Sequence, residues 1–193
     1  MKSILILAGP SAVGKTTVMK EILSRCPDFE FIRSATTRAP RGDGHDGEYI
    51  YLTAPEFKSR IENGEMLEYT EYSGNFYGTP SSEIERIFAD GRIPLLILDI
   101  NGVRSIKEKE RGFKTVAVYI TTDIATLEKR LYERAAALGG GEEALLSIKK
   151  RIEQNLRDIS SADEFISLFD ASVQNKVVTK TAEEIYRIFN NVK

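Results

Sequence analysis

Short runs of apolar residues alternate along the chain with segments whose apolar positions recur at helical spacing. The runs Ile4–Ala8, Pro94–Asp99 and Thr115–Ile120 predict buried strands. Helices are predicted at about residues 15–25, 101–110, 123–138 and 142–160. Alternation of this kind is typical of a parallel sheet with helices packed on its faces, so the pattern predicts an α/β fold.

The segment from Arg33 to Ser82 has a different texture, rich in Tyr, Gly, Thr and Arg, with a period-two stretch at Met66–Tyr72. It predicts a small mixed α/β insertion on the main sheet. Two helix starts are predicted inside it. Thr53-Ala-Pro-Glu56 has the form of a capping box, and Thr79-Pro80 predicts a cap followed by a proline in the first helical turn.

Glycines and charges towards the C-terminus predict a helical lid. Ala135–Glu143 carries three glycines between two basic helical segments, as expected of a mobile hinge. A further capping box at Thr181–Glu184 predicts the start of a final packing helix. The whole chain, 1–193, is therefore predicted to be one domain. Its predicted parts are a core of residues 1–32, 84–124 and 160–193, an insertion at 33–83 and a lid at 125–159.

The composition narrows the class of protein. With 41% hydrophobic and 29% charged residues, the 193-residue chain has the composition of a globular protein. Its net charge of -2 argues against a general nucleic-acid or membrane-surface binder. Cys26 is the only cysteine and cannot form an internal disulfide, and the first apolar run is too short for a signal peptide or a membrane span. We therefore expect a cytoplasmic protein. We also expect no catalytic role for the single histidine, His45.

A phosphate-binding loop follows the first predicted strand. Residues 9–16 satisfy G-x-x-x-x-G-K-[ST] and directly precede a predicted helix, which is the context that this P-loop motif requires. Its glycines allow backbone N–H groups to surround phosphate oxygens, and Lys15 can reach the β- and γ-phosphates. The Thr16 hydroxyl and the carboxylate of Asp99, at the end of a predicted strand, are candidate Mg²⁺ ligands. The predicted ATP-binding residues are Gly9, Pro10, Ser11, Ala12, Val13, Gly14, Lys15, Thr16 and Thr17.

The insertion carries residues suited to a second phosphate group. Arg38 and Arg41 stand three positions apart in a loop that begins at Ser34, and Tyr49 and Tyr77 follow. Guanidinium groups present forked donors that match phosphate geometry, and tyrosine hydroxyls add neutral donors. The insertion is therefore predicted to bind a phosphorylated acceptor.

These motifs together resemble the guanylate kinase family. The resemblance covers nearly the whole chain in collinear order, through the segments GPSAVGKT, SATTRAPR, GEYIY, EMLEY, SGNFYGTP, LLILD, EKRLYER, SIKKR and VQN. It implies a P-loop kinase core with an acceptor-binding insertion and a lid.

The resemblance also implies a role for each site residue. The guanine of GMP would be held by Ser34 and Glu68, because a carboxylate offers two acceptors to the N1–H and exocyclic amino group of guanine. The GMP-binding set that it implies is Ser34, Arg38, Arg41, Tyr49, Glu68, Tyr77, Thr79 and Asp99. Arg130, Arg134 and Arg151 would contact the triphosphate when the lid is closed, and the implied catalytic residues are Lys15, Arg38, Arg130, Arg134 and Arg151.

The expected reaction is ATP plus GMP giving ADP plus GDP with Mg²⁺. The acceptor phosphate is already an anionic nucleophile, so no general base is needed. The expected partners are these nucleotides, with no nucleic acid or membrane, and the expected state is a monomer or simple homo-oligomer. Two alternatives stay open: a P-loop kinase with a different phosphorylated acceptor, and an inactive guanylate-kinase-like module that binds a peptide.

Overall fold

The structure is a computed structural model of the chain. It describes residues 2–40, 47, 49–72, 74–108, 112–137, 146, 148–150, 152–153, 155 and 165–193. The strands are β1 Ser3–Ala8, β2 Phe29–Phe31, β3 Ser34–Thr36, β4 Tyr49–Tyr51, β5 Met66–Tyr72, β6 Asn75–Pro80, β7 Ile93–Ile97, β8 Lys114–Thr121 and β9 Ala171–Gln174. The helices are α1 Lys15–Arg25, α2 Ala54–Glu62, α3 Ser81–Ala89, α4 Ile100–Lys107, α5 Ile124–Ala137 and α6 Val178–Val192. Residues 148–150, 152, 153 and 155 are also helical.

The larger sheet is parallel, as predicted. Within the described ranges it has five strands in the order β2-β7-β1-β8-β9, and every neighbouring pair runs parallel. β1 lies at its centre, with Leu5 opposite Leu95 of β7 on one side and Val116 of β8 on the other. Because the strands are parallel, β1, β7 and β8 present their carboxyl ends at one edge, where the loops after them meet.

Alternate residues of β1 face two separate helical layers. Leu5 and Leu7 pack in a core with residues of α1 and α6, including Ile22 and Phe189. Ile4, Ile6 and Ala8 pack on the opposite face with residues of α3 and α4. All of β1 is buried, which explains its uninterrupted apolar sequence. The mixed α/β class with helices on both faces is therefore confirmed.

A smaller mixed sheet follows β2 and has the order β4-β3-β6-β5. β3 pairs parallel with β4 and antiparallel with β6, and β5 pairs antiparallel with β6. Helix α2 packs on it through Phe57, whose ring stacks on Phe76 at a centroid distance of 5.4 Å. The predicted capping box is present, because the Thr53 side chain accepts from Glu56 N and the Glu56 carboxylate accepts from Thr53 N.

Two predicted helix caps are wrong. Thr79 belongs to β6, and Pro80 occupies the N-cap of α3 and not its first turn, so α3 has no side-chain cap. Helix α6 begins at Val178, one turn before the predicted box, and has no side-chain cap. The Thr181 hydroxyl lies inside that helix and donates to Asn175 Oδ1 and to the Val177 carbonyl. The Thr79 hydroxyl donates across the sheet to Glu68, and the Thr181 hydroxyl bonds to the residues just before it, so neither threonine caps a helix.

The predicted hinge at Gly139–Gly141 lies outside the described residues, and so does much of the predicted helix at 142–160. The division into core, insertion and lid stays a prediction. None of the described helices has the length and apolar character needed to cross a membrane.

Candidate active site

The loop between β1 and α1 has the backbone that a phosphate cradle requires. Gly9 and Gly14 have φ values of 144° and 101°, and Ala12 has a φ of 66°. A Cβ on Gly9 would lie 2.2 Å from the Ile120 carbonyl oxygen, so only glycine fits between this loop and β8. Gly14 is the N-cap of α1 and supplies no side-chain acceptor, which leaves the first N–H groups of the helix available to a ligand.

Lys15 folds back along this loop. Its Nζ atom donates to the carbonyl oxygens of Gly9 and Pro10, at 2.7 and 2.9 Å. Thr16 and Thr17 follow in the first turn of α1, half-buried and exposed respectively. A cation, two hydroxyls and the positive end of a helix dipole are therefore gathered around the loop.

Three side chains from distant parts of the sequence support the loop. Asn175, which is 2% exposed, donates from Nδ2 to the Val13 carbonyl at 2.8 Å. Arg130 of α5 donates from Nη1 to the same carbonyl at 3.0 Å and to the Ala12 carbonyl at 3.3 Å. Asn155 accepts from Ser11 N at 2.8 Å and donates to Ser11 O at 3.1 Å. Neither asparagine was among the predicted site residues, although the segment VQN, which ends at Asn175, is one of the motifs that carry the resemblance.

Four predicted acceptor residues meet on the smaller sheet. Ser34 of β3 lies opposite Tyr49 of β4, and Tyr77 of β6 lies opposite Thr36 of β3. The Tyr49 and Tyr77 rings meet edge to face at a centroid distance of 6.4 Å. The Arg38 guanidinium lies over the Tyr49 ring, 5.2 Å from its centroid. Because two phenols and a guanidinium converge there, the cluster suits an anion.

Glu68 is a buried carboxylic acid beside this cluster. It is 5% exposed and accepts a hydrogen bond at 2.7 Å from the Thr79 hydroxyl on the neighbouring strand. Burial raises the pKa of Glu68 to about 7 and the negative charge of Asp99 adds to the rise, against the lowering effect of the Thr79 hydrogen bonds. A carboxyl group poised near neutral pH is typical of a functional site.

Asp99 lies two residues beyond the end of β7 and caps α4. Its Oδ1 atom accepts from Gly102 N at 2.7 Å, and the side chain is exposed. A Cβ built on Gly102 would lie 3.1 Å from Glu68 Oε2 and 3.4 Å from Asp99 Oδ1. Both carboxylates therefore border the same glycine, which places the charge of Asp99 close enough to raise the pKa of Glu68.

The candidate Mg²⁺ ligands are chemically suitable. Thr16 follows β1 and Asp99 follows β7, and these neighbouring parallel strands end at the same edge of the sheet. Mg²⁺ usually takes one or two protein ligands and completes its shell with water and substrate phosphates. A hydroxyl and a carboxylate at this edge fit that requirement.

The family model described as guanylate kinase matches residues 1–192. The chain belongs to the guanylate kinase family. A guanylate kinase from Prochlorococcus marinus (strain MIT 9312) is 36% identical over 188 residues, which cover 97% of this chain and 96% of that relative. A guanylate kinase from Porphyromonas gingivalis is 35% identical over 189 residues, covering 96% and 95% of the two chains. A crystal structure of guanylate kinase from Anaplasma phagocytophilum superposes with a TM-score of 0.72 at 26% identity, covering 98% of this chain and 85% of that one.

Membership of the guanylate kinase family confirms the resemblance drawn from the motifs, but it leaves the individual residue roles as predictions. Some predicted residues also lie where the structure gives no side-chain description. Arg41, His45 and Arg151 lie outside the described residues. Arg134 lies one turn after Arg130 on α5.

Proposed function

We propose that this chain transfers the γ-phosphoryl group of ATP to GMP. A phosphate oxygen of GMP attacks the γ-phosphorus, the bond from that phosphorus to the oxygen bridging to the β-phosphorus breaks, and ADP and GDP result. The observation that carries the acceptor assignment is the buried Glu68 carboxylate, held by Thr79 beside the Arg38, Tyr49 and Tyr77 cluster. A base with two adjacent N–H donors and a phosphate group matches that arrangement.

Each end of the proposed site has a distinct task. The loop at 9–17 binds the ATP phosphates through backbone N–H groups and Lys15, while Thr16 and Asp99 hold Mg²⁺, which neutralises phosphate charge when bound. Ser34 and Glu68 bind guanine. The acceptor phosphate is oriented by Arg38, Arg41, Tyr49 and Tyr77. Thr79 lies near the base and the phosphate and holds the Glu68 carboxylate, and Asp99 lies at the guanine side. Arg130, Arg134 and Arg151 supply positive charge to the transferring group from the lid.

The division of labour follows the predicted parts of the chain. Residues 33–83 bind the acceptor, residues 125–159 form the lid, and the remaining residues form the core that carries the phosphate loop. Closing these parts over both nucleotides would exclude water that otherwise hydrolyses ATP. We also propose a cytoplasmic monomer or simple homo-oligomer, in keeping with the single cysteine and the near-neutral charge.

Acceptor selectivity tests the proposal directly. ADP formation from MgATP is measured with GMP, dGMP, AMP, IMP, CMP and UMP in turn. Because adenine lacks the donor pair that Glu68 would bind, we expect kcat/KM for GMP to exceed that for AMP by on the order of 10⁴. IMP lacks only the amino group, and we expect a loss of roughly 10- to 100-fold.

The same assay on Lys15→Ala separates catalysis from background. We expect turnover with GMP to fall by at least about 10²-fold, because Lys15 acts on the phosphates that carry the developing charge. Lys180→Ala removes an exposed lysine of α6 and serves as the matched control with unchanged turnover. Turnover of IMP equal to that of GMP would show that the guanine amino group is not recognised, and absence of turnover with every monophosphate would favour a kinase with another acceptor or the inactive binding module.

A further inference from the structure

The middle of the phosphate loop is contacted by a short stretch of helical residues far along the chain. Asn155 is 4% exposed, and both polar atoms of its side chain bond to one residue, Ser11. The amide thereby pairs with the N–H and the carbonyl of a single residue, as a neighbouring strand would. If the oxygen and nitrogen of the amide were exchanged, its NH₂ group would face the Ser11 N–H and its oxygen would face the Ser11 carbonyl oxygen. The two hydrogen bonds therefore fix the orientation of the amide.

Apolar contacts accompany this pair of hydrogen bonds. Ile148 and Leu131 form a small buried cluster, and Ala12 and Ile152 pack against it. Positions 148, 152 and 155 are spaced by four and three residues, so they share one face of the helical stretch. This face covers Ser11 and Ala12 together.

Ala12 needs such support. Its φ of 66° lies in the left-handed region, which costs free energy for any residue with a Cβ, and it is the one non-glycine residue with positive φ among those the structure describes. The two ends of the loop are tied to the core, through Gly9 against Ile120 and through Val13 against Asn175. Ser11 and Ala12 lie between these ties, where the helical face bears on them.

We infer that Asn155, with Ile148 and Ile152, clamps Ser11 and Ala12 and holds the phosphate loop in its ATP-binding conformation. Asn155 is thus a positioning residue for the donor nucleotide, acting through the loop backbone. The inference rests on the proposed ATP site.

Nucleotide binding by Asn155→Ala tests the clamp. Affinity for the non-hydrolysable analogue β,γ-imido-ATP with Mg²⁺ is measured by calorimetry without acceptor, and affinity for GMP is measured separately. We expect the analogue to bind about 5- to 20-fold more weakly, since two hydrogen bonds to the loop are lost, and GMP to bind within about twofold of wild type. Asn190→Ala, which removes an asparagine that bonds to the Tyr186 carbonyl on α6, is the matched control and should change neither affinity.

Amide exchange measured by mass spectrometry on the nucleotide-free protein reports on the loop itself. Exchange at residues 11–14 should be faster in Asn155→Ala than in wild type, with the β1 amides unchanged. The isosteric Asn155→Asp keeps the acceptor for Ser11 N but sets a carboxylate against Ser11 O, so it should weaken analogue binding at least as much as alanine. Asn155→Asp also provides the test of the clamp if Asn155→Ala does not fold.

Wild-type affinity for the analogue in both variants would overturn the clamp, and so would an equal weakening of GMP binding, which indicates general damage. Failure of the wild-type chain itself to bind the analogue would overturn the proposed function together with the clamp. Wild-type binding of the analogue without any turnover of GMP would count against the proposed acceptor alone, and the variants would still decide the clamp.

Discussion

The raised pKa of Glu68 predicts that GMP binding depends on pH in a way that one substitution removes. Guanine requires the ionised carboxylate, because a protonated carboxyl offers fewer acceptors to its two donors. With a pKa of about 7 in the free protein, about nine tenths of Glu68 is ionised at pH 8 and about one tenth at pH 6. Apparent GMP affinity should therefore fall about 10-fold across this range from Glu68 alone.

The phosphate of GMP also titrates, with a second pKa of about 6, so wild type must be compared with Glu68→Gln. We expect the glutamine variant to bind GMP more weakly at every pH, with an affinity that depends on pH only through the phosphate. Between pH 8 and 6 its affinity should therefore fall about 10-fold less than that of wild type. Calorimetry at pH 7 in buffers of different ionisation enthalpy should show release of about half a proton per GMP in wild type. Parallel profiles for the two proteins would refute the reasoning.

The same pKa shift has a consequence for stability that needs no ligand. Because the folded state holds the Glu68 proton up to about pH 7 while the unfolded state loses it near 4.5, the folded state binds more protons between these values. Stability from this group therefore falls as pH rises, by up to about 3 kcal/mol above pH 7. Urea unfolding should find Glu68→Gln gaining stability relative to wild type as pH rises from 4.5 to 8.

Two substitutions test other parts of the structure. Gly102→Ala sets a Cβ 3.1 Å from Glu68 Oε2, so we expect KM for GMP to rise about 10-fold with KM for ATP unchanged; a parallel rise in both would contradict this role. Phe29→Ala removes a fully buried ring that meets Phe189 edge to face at 5.1 Å, so we expect a loss of about 3–5 kcal/mol in urea unfolding, and a loss below about 1 kcal/mol would count against the packing described.

The parts of the fold that could be predicted from the sequence are those determined by neighbouring residues in the chain. β1, the phosphate loop and α1 follow one another without interruption, and the apolar run, the glycines and the helical pattern each point to the same structure. β9 was not predicted because it lies at the edge of the sheet, and Val173 is its one fully buried residue, so no apolar run marks it.

The site residues that the sequence analysis missed bond to residues that are far away in the chain. Asn155 bonds to a residue 144 positions away, and Asn175 to one 162 positions away, so no local pattern identifies either contact. The capping box predicted at Thr181 is wrong for a different reason: the helix begins one turn earlier, and the Thr181 hydroxyl bonds to Asn175, six positions before it. Predicted acceptor residues such as Glu68 were identified through the family resemblance, because nothing in the sequence around a single acidic residue indicates that its side chain is buried.

The bond from Asn175 to Val13 also bears on how the protein is made. The phosphate loop leaves the ribosome well before Asn175, which lies 162 positions after Val13, and α6, which packs on α1, follows later still. Domains fold as units once their residues have emerged, at roughly 5–20 residues per second. A nascent chain therefore carries the complete phosphate-loop motif throughout the synthesis of the intervening residues without the contacts that hold it in shape, and the loop acquires them only once Asn175 and α6 have emerged.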